Sequence, residues 1–141
     1  MEFTIKQVSE LTGFSPSTLR YYEKEKMLPS INRNAIGVRS YNYDDIGWIY
    51  LINCLKNTNM PVIDIKKFVA LCEKGDSTLN ERLNMVLKHQ EAIEAQIEEL
   101  QTHRKHIDFK INYYKKACEA GSEDAVRHLY KNRHDFQKVG P

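Results

Sequence analysis

The sequence contains few residues that interrupt helices, with six glycines and four prolines among 141 residues. Long helices are therefore possible, and these residues mark where elements begin and end. The three cysteines form no CxxC pair, which excludes a disulfide framework and predicts free thiols in a reducing compartment. No apolar run approaches the ~18 residues of a membrane span, and the first residues lack the order of a signal peptide. We therefore expect a cytoplasmic protein.

An excess of one charge is also lacking, because 21 Lys and Arg residues balance 19 Asp and Glu residues. A net charge of +2 excludes polyanion binding by the whole chain. Residues 17–42 are more basic than the rest, since only Glu23 and Glu25 oppose their cations. These cations are Arg20, Lys24, Lys26, Arg33 and Arg39. Any face that binds nucleic acid should lie in this segment.

The start of the chain is typical of two short helices. Thr4 can cap a first helix that carries apolar residues at helical spacing and ends at Gly13. Ser15 followed by Pro16 indicates the start of a second helix, over roughly residues 16–26. Two short helices joined by a tight turn with glycine form a helix-turn-helix. The alternative is an ordinary pair of core helices.

The next segment, residues 28–41, has no helical periodicity and holds Asn and Gly at turn-like positions. It predicts a small β-hairpin, which we call the wing. Asn42 can cap a third helix, and Pro61 lies near the start of a fourth helix that ends near Gly75. We therefore place a winged helix-turn-helix head in residues 1–75.

The strongest periodicity follows the head. Side chains that are mostly apolar recur at alternating intervals of four and three residues, which is a heptad repeat. This seam consists of Leu79, Leu83, Val86, Gln90, Ile93, Ile97, Leu100, Arg104, Ile107, Ile111 and Tyr114. So small a chain cannot cover a helix of this length, so we predict a homodimer through a coiled coil at residues 76–116 and a short tail at 117–141. A helix that packs on its own domain is the alternative.

These motifs resemble the MerR family of transcriptional regulators. The resemblance rests on TIKQVSELTGFSPSTLRYYEKEKMLPS, then GVRSY, then DDIGWIYLINCLKNTNMPVIDIKKFV. It implies a mostly all-α fold in which a winged helix-turn-helix head precedes a long antiparallel coiled-coil helix. It also implies a homodimer on double-stranded promoter DNA. A signal would make this dimer bend and untwist a promoter with an over-long spacer, so that RNA polymerase can engage both elements.

Candidate DNA contacts lie on the second helix and in the wing. Arginine pairs with guanine edges or phosphates, and hydroxyl groups set the register on phosphates. In the wing, the resemblance implies that Arg39 reaches the DNA backbone beside an aromatic neighbour. The candidate contacts are Ser17, Thr18, Arg20, Tyr21, Arg33, Arg39 and Tyr41. A solvated surface residue is the alternative for each, whereas Tyr22 is expected in the core because it follows Leu19 by three residues.

Cys54 is the candidate sensor of the activating signal. A cysteine within INCLKNTNMP resembles that of short MerR members that respond to aldehydes or nitrosative stress, which implies a reactive thiol. A nearby Lys56 and a position between two helices can lower a thiol pKa. An inert buried cysteine is the alternative. Where the family reads T-G-M, this sequence has Thr58, Asn59 and Met60.

Other functions are weaker hypotheses. Metal-sensing members carry a cysteine pair after the long helix, whereas here Cys118 would need Cys72 of the other subunit or a histidine. The four scattered histidines that follow residue 100 are His103, His106, His128 and His134. An unknown small-molecule inducer is a further possibility, and we expect no cofactor and no bound metal. The sequence has no catalytic constellation of an enzyme, and a coiled-coil adaptor would leave the wing arginines without a role.

Overall fold

The computed structural model describes residues 1–131, which divide into two compact units, Met1–Gln90 and a unit that begins at Glu91. The helices are α1 (Ile5–Thr12), α2 (Pro16–Lys24), α3 (Tyr43–Asn57), α4 (Val62–Glu73), α5 (Leu79–Ala120) and α6 (His128–Lys131), with a 3-10 helix at Asp76–Thr78. The mostly helical fold is therefore confirmed. His134 and the rest of 132–141 lie outside the described residues. None of the helices described is long and apolar enough to cross a membrane.

α1 begins and ends where its sequence predicts. The Thr4 hydroxyl accepts a hydrogen bond from the Gln7 N–H, and the Gln7 side chain accepts one from the Thr4 N–H. This reciprocal capping satisfies two donors that the first turn of a helix leaves without partners. Gly13 follows the last turn with a φ of 79°, a conformation that glycine adopts without a steric penalty.

α2 begins as predicted but ends earlier. The Ser15 side chain accepts a hydrogen bond from the Thr18 N–H, and Pro16 occupies the first helical position. The helix ends at Lys24 rather than near residue 26, because Lys26 has a φ of 58°. A left-handed residue cannot continue a right-handed helix.

The predicted wing is a tight hairpin with a single antiparallel bridge, between Arg33 and Arg39. The Asn34 N–H donates to the Val38 carbonyl over 2.8 Å, and the Asn34 side chain accepts from the Val38 N–H over 3.0 Å. Gly37 has a φ of 81°, which the tip of the turn requires. The turn, rather than a long ladder, therefore defines the wing.

One hydrophobic core holds the first unit together. Its buried members come from α1–α4, from the segments around the wing and from the connection between α3 and α4. The core consists of Val8, Leu19, Tyr22, Met27, Leu28, Ile31, Tyr41, Ile46, Ile49, Ile52, Leu55, Met60, Ile65 and Val69. Burial of each large aliphatic side chain contributes about 1.5–3 kcal/mol, so this core fixes the position of α2. The predicted core position of Tyr22 is confirmed.

The connection between α3 and α4 contains a left-handed residue. Asn59 has a φ of 67°, at the position where the family that the sequence resembles has glycine, and asparagine tolerates this conformation better than most residues. The N–H of the buried Met60 donates to the Leu55 carbonyl over 2.9 Å. The turn therefore closes the last turn of α3 although the glycine is absent.

α5 has 42 residues and continues to Ala120, beyond the predicted end of the coiled-coil segment at residue 116. Most apolar residues of the predicted seam are exposed in the protomer. The exposed members are Leu79, Leu83, Val86, Ile97, Leu100, Ile107, Ile111 and Tyr114. In the second unit, a small core of Tyr113, Ala117 and Val126 forms on a different face of the helix.

Candidate nucleic-acid interface

α2 presents a polar face on one side and an apolar face on the other. Leu19 and Tyr22 are buried, whereas Ser17 and Arg20 are exposed and the Tyr21 side chain is 57% exposed. A period of 3.6 residues places these two groups on opposite sides of the helix. The structure therefore exposes three of the candidate contacts on α2.

The N-terminus of α2 carries a group of hydroxyls. The Ser15 hydroxyl donates to the Thr18 hydroxyl over 2.9 Å and lies 3.1 Å from the Ser17 hydroxyl. Thr18 is half-buried, so its hydroxyl supports the cap as well as the surface. Backbone N–H groups and the helix dipole favour an anion at this end of a helix. A DNA phosphate matches these requirements.

Glu23 connects α2 to the wing, and sequence reasoning did not identify this residue. One carboxylate oxygen accepts a hydrogen bond from the Ile31 N–H over 2.9 Å, and the other accepts from Arg39 Nε over 2.6 Å. The Glu23 and Arg39 side chains are only 15% and 24% exposed, so this ion pair is partly shielded from solvent. The available signal was that Glu23 is one of only two acidic residues in the basic segment 17–42.

Arg39 is therefore oriented by its bond to Glu23. The bond uses Nε, so a phosphate would meet the two terminal nitrogens of the guanidinium. Arg33 is exposed, and its Nη1 donates to the Gly37 carbonyl over 3.0 Å. That contact holds the Arg33 guanidinium against the tip of the wing.

Tyr41 does not belong to the exposed surface, so its prediction as a DNA contact is wrong. The side chain is fully buried, and within residues 1–131 its hydroxyl has no hydrogen-bond partner. The cause is its backbone, which pairs with Phe3 through hydrogen bonds of 2.7 and 2.9 Å and draws the ring into the core.

The electrostatics of Tyr41 show which charges surround it. Burial raises the pKa of its phenol above the ordinary range, and the Glu23 carboxylate adds to this effect. Arg39 and Arg20 oppose the increase because both are cations. The charges of Arg20, Arg39 and Glu23 therefore all act on the same buried phenol, and Glu23 and Arg39 also contact each other.

Cys54 is exposed on α3, which contradicts the alternative of an inert buried cysteine. The side chain of Lys56 contacts Tyr22. Its ammonium group donates to the Tyr22 hydroxyl over 2.8 Å and lies 4.7 Å from the centre of that ring. The expected site between two packed helices is also wrong for the protomer, because α3 presents this thiol to solvent.

The other cysteines have different surroundings. Cys72 is half-buried, and Arg82 Nη1 lies 3.8 Å from its sulfur. Burial raises the pKa of the Cys72 thiol, although Arg82 opposes this effect. Cys118 is exposed. In the part of the chain that the structure describes, no group of three or more His, Cys, Asp or Glu side chains is arranged to hold a metal ion.

Comparisons with known proteins agree with this geometry. Residues 3–71 match the MerR HTH family regulatory protein domain, and residues 48–108 match the family described as MerR, DNA binding. A relative from Haemophilus influenzae, described as an uncharacterized HTH-type transcriptional regulator, is 37% identical over 89% of this chain and 93% of its own. The regulator AdhR of Bacillus subtilis is 34% identical over 58% of this chain and 59% of its own.

Solved structures lead to the same family. HiNmlR, described as a MerR family regulator lacking the sensor domain and bound to promoter DNA, has a TM-score of 0.83 and 37% identity. The match covers 89% of this chain and 100% of that one. A MerR family regulator from Bacillus thuringiensis has a TM-score of 0.74 and 34% identity, over 79% and 98% of the two chains. With its helix-turn-helix, wing and long helix, this chain belongs to the MerR family of transcriptional regulators, not to a family of enzymes.

Proposed function

We propose that this chain is a homodimeric regulator that distorts a promoter with an over-long spacer in response to a thiol-reactive signal. It would act in the cytoplasm, where double-stranded promoter DNA and RNA polymerase are its partners. The observation that carries the proposal is the exposure of Arg20 on α2 together with the ion pair between Arg39 of the wing and Glu23 of the same helix. The promoter DNA in the HiNmlR complex supports it.

The head suits insertion of α2 into a major groove. The exposed Arg20 can pair bidentately with a guanine or bind a phosphate, while Ser17 and Tyr21 offer hydroxyls to the backbone. Arg33 and Arg39 form the antiparallel bridge of the wing, which follows α2 in the chain. Because Glu23 fixes Arg39 relative to α2, the two contacts act as one rigid clamp.

A dimer supplies the second clamp. The exposed seam of α5 has the heptad spacing that a coiled coil buries, and we infer an antiparallel pairing from the family. In the second unit, Ile107, Ile111 and Tyr114 line an open apolar cavity of about 570 Å³ on this helix. Two clamps at fixed separation can bend and untwist the spacer between them, which is indirect readout.

The thiol of Cys54 is the proposed entry point of the signal. It is exposed, so an aldehyde or another electrophile can reach it. The thiolate adds to an aldehyde carbonyl carbon, and the resulting alkoxide takes a proton from water, which gives a hemithioacetal. The resemblance of INCLKNTNMP to short MerR members that respond to aldehydes or nitrosative stress supports such a signal, and AdhR is a relative of this chain.

The DNA interface is tested with Arg20→Ala and Arg39→Ala, using operator DNA selected from a random library by the wild type. Each variant should bind more weakly, because each loses a charged contact. A lost phosphate contact should reduce the salt slope by about one, whereas a lost guanine contact should relax one operator position by roughly 1–3 kcal/mol. Lys88→Ala, at an exposed position of α5, is the matched control for the loss of one positive charge. Wild-type affinity in both arginine variants would contradict the interface.

The sensor is tested with Cys54→Ser in a reporter strain exposed to formaldehyde or S-nitrosoglutathione. The variant should bind the operator but lose induction, because serine does not form the adduct. Cys72→Ser and Cys118→Ser should remain inducible. If Cys118→Ser alone loses induction, the signal enters through the C-terminal segment and the metal hypothesis replaces this one. Induction of all three variants would indicate an inducer that binds without a thiol.

A further inference from the structure

The last turn of α3 is organised around the carbonyl of Cys54. This oxygen accepts the Thr58 N–H over 3.1 Å and the Thr58 hydroxyl over 2.7 Å. The same hydroxyl lies 3.3 Å from the Leu55 carbonyl. Thr58 therefore holds the backbone of the candidate sensor residue with two donors.

The Thr58 hydroxyl also contacts α5. Its oxygen lies 2.7 Å from Nε2 of His89, a half-buried residue in the first unit. The Thr58 hydroxyl has one proton, and when this proton goes to the Cys54 carbonyl, the His89 tautomer with hydrogen on Nε2 donates to the Thr58 oxygen. In that tautomer the order of donors runs from His89 to Thr58 to Cys54.

This arrangement lies at the C-terminal end of α3. The final carbonyls of a helix have no partners within it, so the bonds from Thr58 replace those of a further turn. Beyond Thr58, Asn59 is left-handed and Met60 is anchored in the core. A displacement at Cys54 is therefore transmitted through Thr58, since the chain after it is held in place.

His89 is close to the predicted dimer seam along α5. Val86, a seam residue, precedes it by three positions and so lies on the neighbouring surface of the helix. A change in the hydrogen bond at His89 acts on a turn that also contributes to the dimer. The same side chain thus connects α3 with the helix that joins the two heads.

We propose that Thr58 and His89 are positioning residues that relay the chemical state of Cys54 to α5. This inference rests on the proposed function in two respects, the identity of Cys54 as the sensor and the dimer seam on α5. An adduct on Cys54 adds atoms to the last turns of α3 and shifts its carbonyl. The Thr58 hydroxyl then follows that carbonyl, and the bond from His89 lengthens or breaks.

The relay is tested by hydrogen exchange in the full chain. The parent protein carries Cys72→Ser and Cys118→Ser, so that N-ethylmaleimide modifies Cys54 alone. Alkylation should accelerate amide exchange in residues 82–90 by about threefold or more, because the anchor of this turn is lost. Thr58→Val and His89→Leu remove the bond and should abolish that change.

Conservative variants separate a relay from a merely structural role. Thr58→Ser retains the hydroxyl and His89→Gln retains a donor near the position of Nε2, so both should respond as the parent does. His103→Leu, which removes another α5 histidine, is the matched control and should also respond. Should either Thr58→Val or His89→Leu fail to fold, the other still decides the question.

Three outcomes would overturn the relay. These are an unchanged exchange rate in the alkylated parent, a response of His89→Leu equal to that of the parent, and failure of both conservative variants to respond. In parallel, operator bending is measured by the energy transfer between dyes attached to the two DNA ends. If exchange responds while bending does not, the relay is supported and the proposed sensor function is contradicted.

Discussion

At the residue scale, the proposed DNA interface depends on one carboxylate and one phenol that support it from within the protein. Glu23 fixes both the backbone at Ile31 and the guanidinium of Arg39. Hydrogen bonds to charged groups contribute about 1.5–3 kcal/mol, so Glu23 stabilises the wing as well as directing it. Tyr41 forms the buried support beneath these charges. Preorganisation of this kind lowers the entropic cost of binding.

Tyr41→Phe tests whether Tyr41 supports the interface from the core or contacts DNA through its hydroxyl. The change removes a buried hydroxyl that has no partner among residues 1–131, so it should stabilise the fold by up to about 1 kcal/mol. Operator affinity should stay within about twofold of wild type, because the ring remains in place. Urea unfolding and fluorescence anisotropy measure the two effects. Affinity reduced tenfold without loss of stability would show that the hydroxyl reaches DNA after all.

At the element scale, the beginnings of helices are local properties and could be predicted from the sequence. Thr4, Ser15 and Asn42 each cap the helix that follows, since a cap requires only side chains three residues apart. The end of α2 and the single bridge of the wing were harder to predict from the sequence, because they depend on packing of the segment between Lys26 and Tyr41.

In the candidate site, too, the local features could be predicted from the sequence and the non-local contacts could not. Exposure of Arg20 and Tyr21 follows from helical periodicity alone. The burial of Tyr41 depends on the bridge between its backbone and that of Phe3. The ion pair between Glu23 and Arg39 joins residues that are 16 positions apart in the chain. Neither follows from spacing, because non-local pairing is set by the tertiary fold.

Asn42→Ala tests the start of α3. The Asn42 side chain accepts the Asp45 N–H over 2.9 Å, and the Asp45 carboxylate accepts the Asn42 N–H over 2.9 Å. Loss of the cap should lower the free energy of unfolding by about 1 kcal/mol. Urea unfolding at fixed protein concentration measures this change. Asn42→Asp retains an acceptor and should be nearly neutral, and equal stability of the alanine variant would show that the cap contributes nothing.

At the scale of the whole molecule, the protomer has an apolar surface that its own described residues do not cover. Ile97 and Leu100 are 48% and 68% exposed, whereas the small core of the second unit uses other positions of α5. Polar Gln90 and Arg104 interrupt the seam, and polar residues at such positions specify register and stoichiometry at some cost in stability. A seam with these properties favours one defined partner over nonspecific association.

The double variant Ile97→Lys and Leu100→Lys tests this dimer. In an isolated protomer both side chains face solvent, so lysine there should change the stability of the protomer fold by less than about 0.5 kcal/mol per site. In a coiled coil the same ammonium groups would be buried without partners, which is strongly unfavourable. We therefore expect sedimentation as a monomer, with weak operator binding because two half-sites are no longer linked. Gln101→Lys, on the same helix but off the seam, should remain a dimer, and a wild type that sediments as a monomer at micromolar concentration would contradict the architecture.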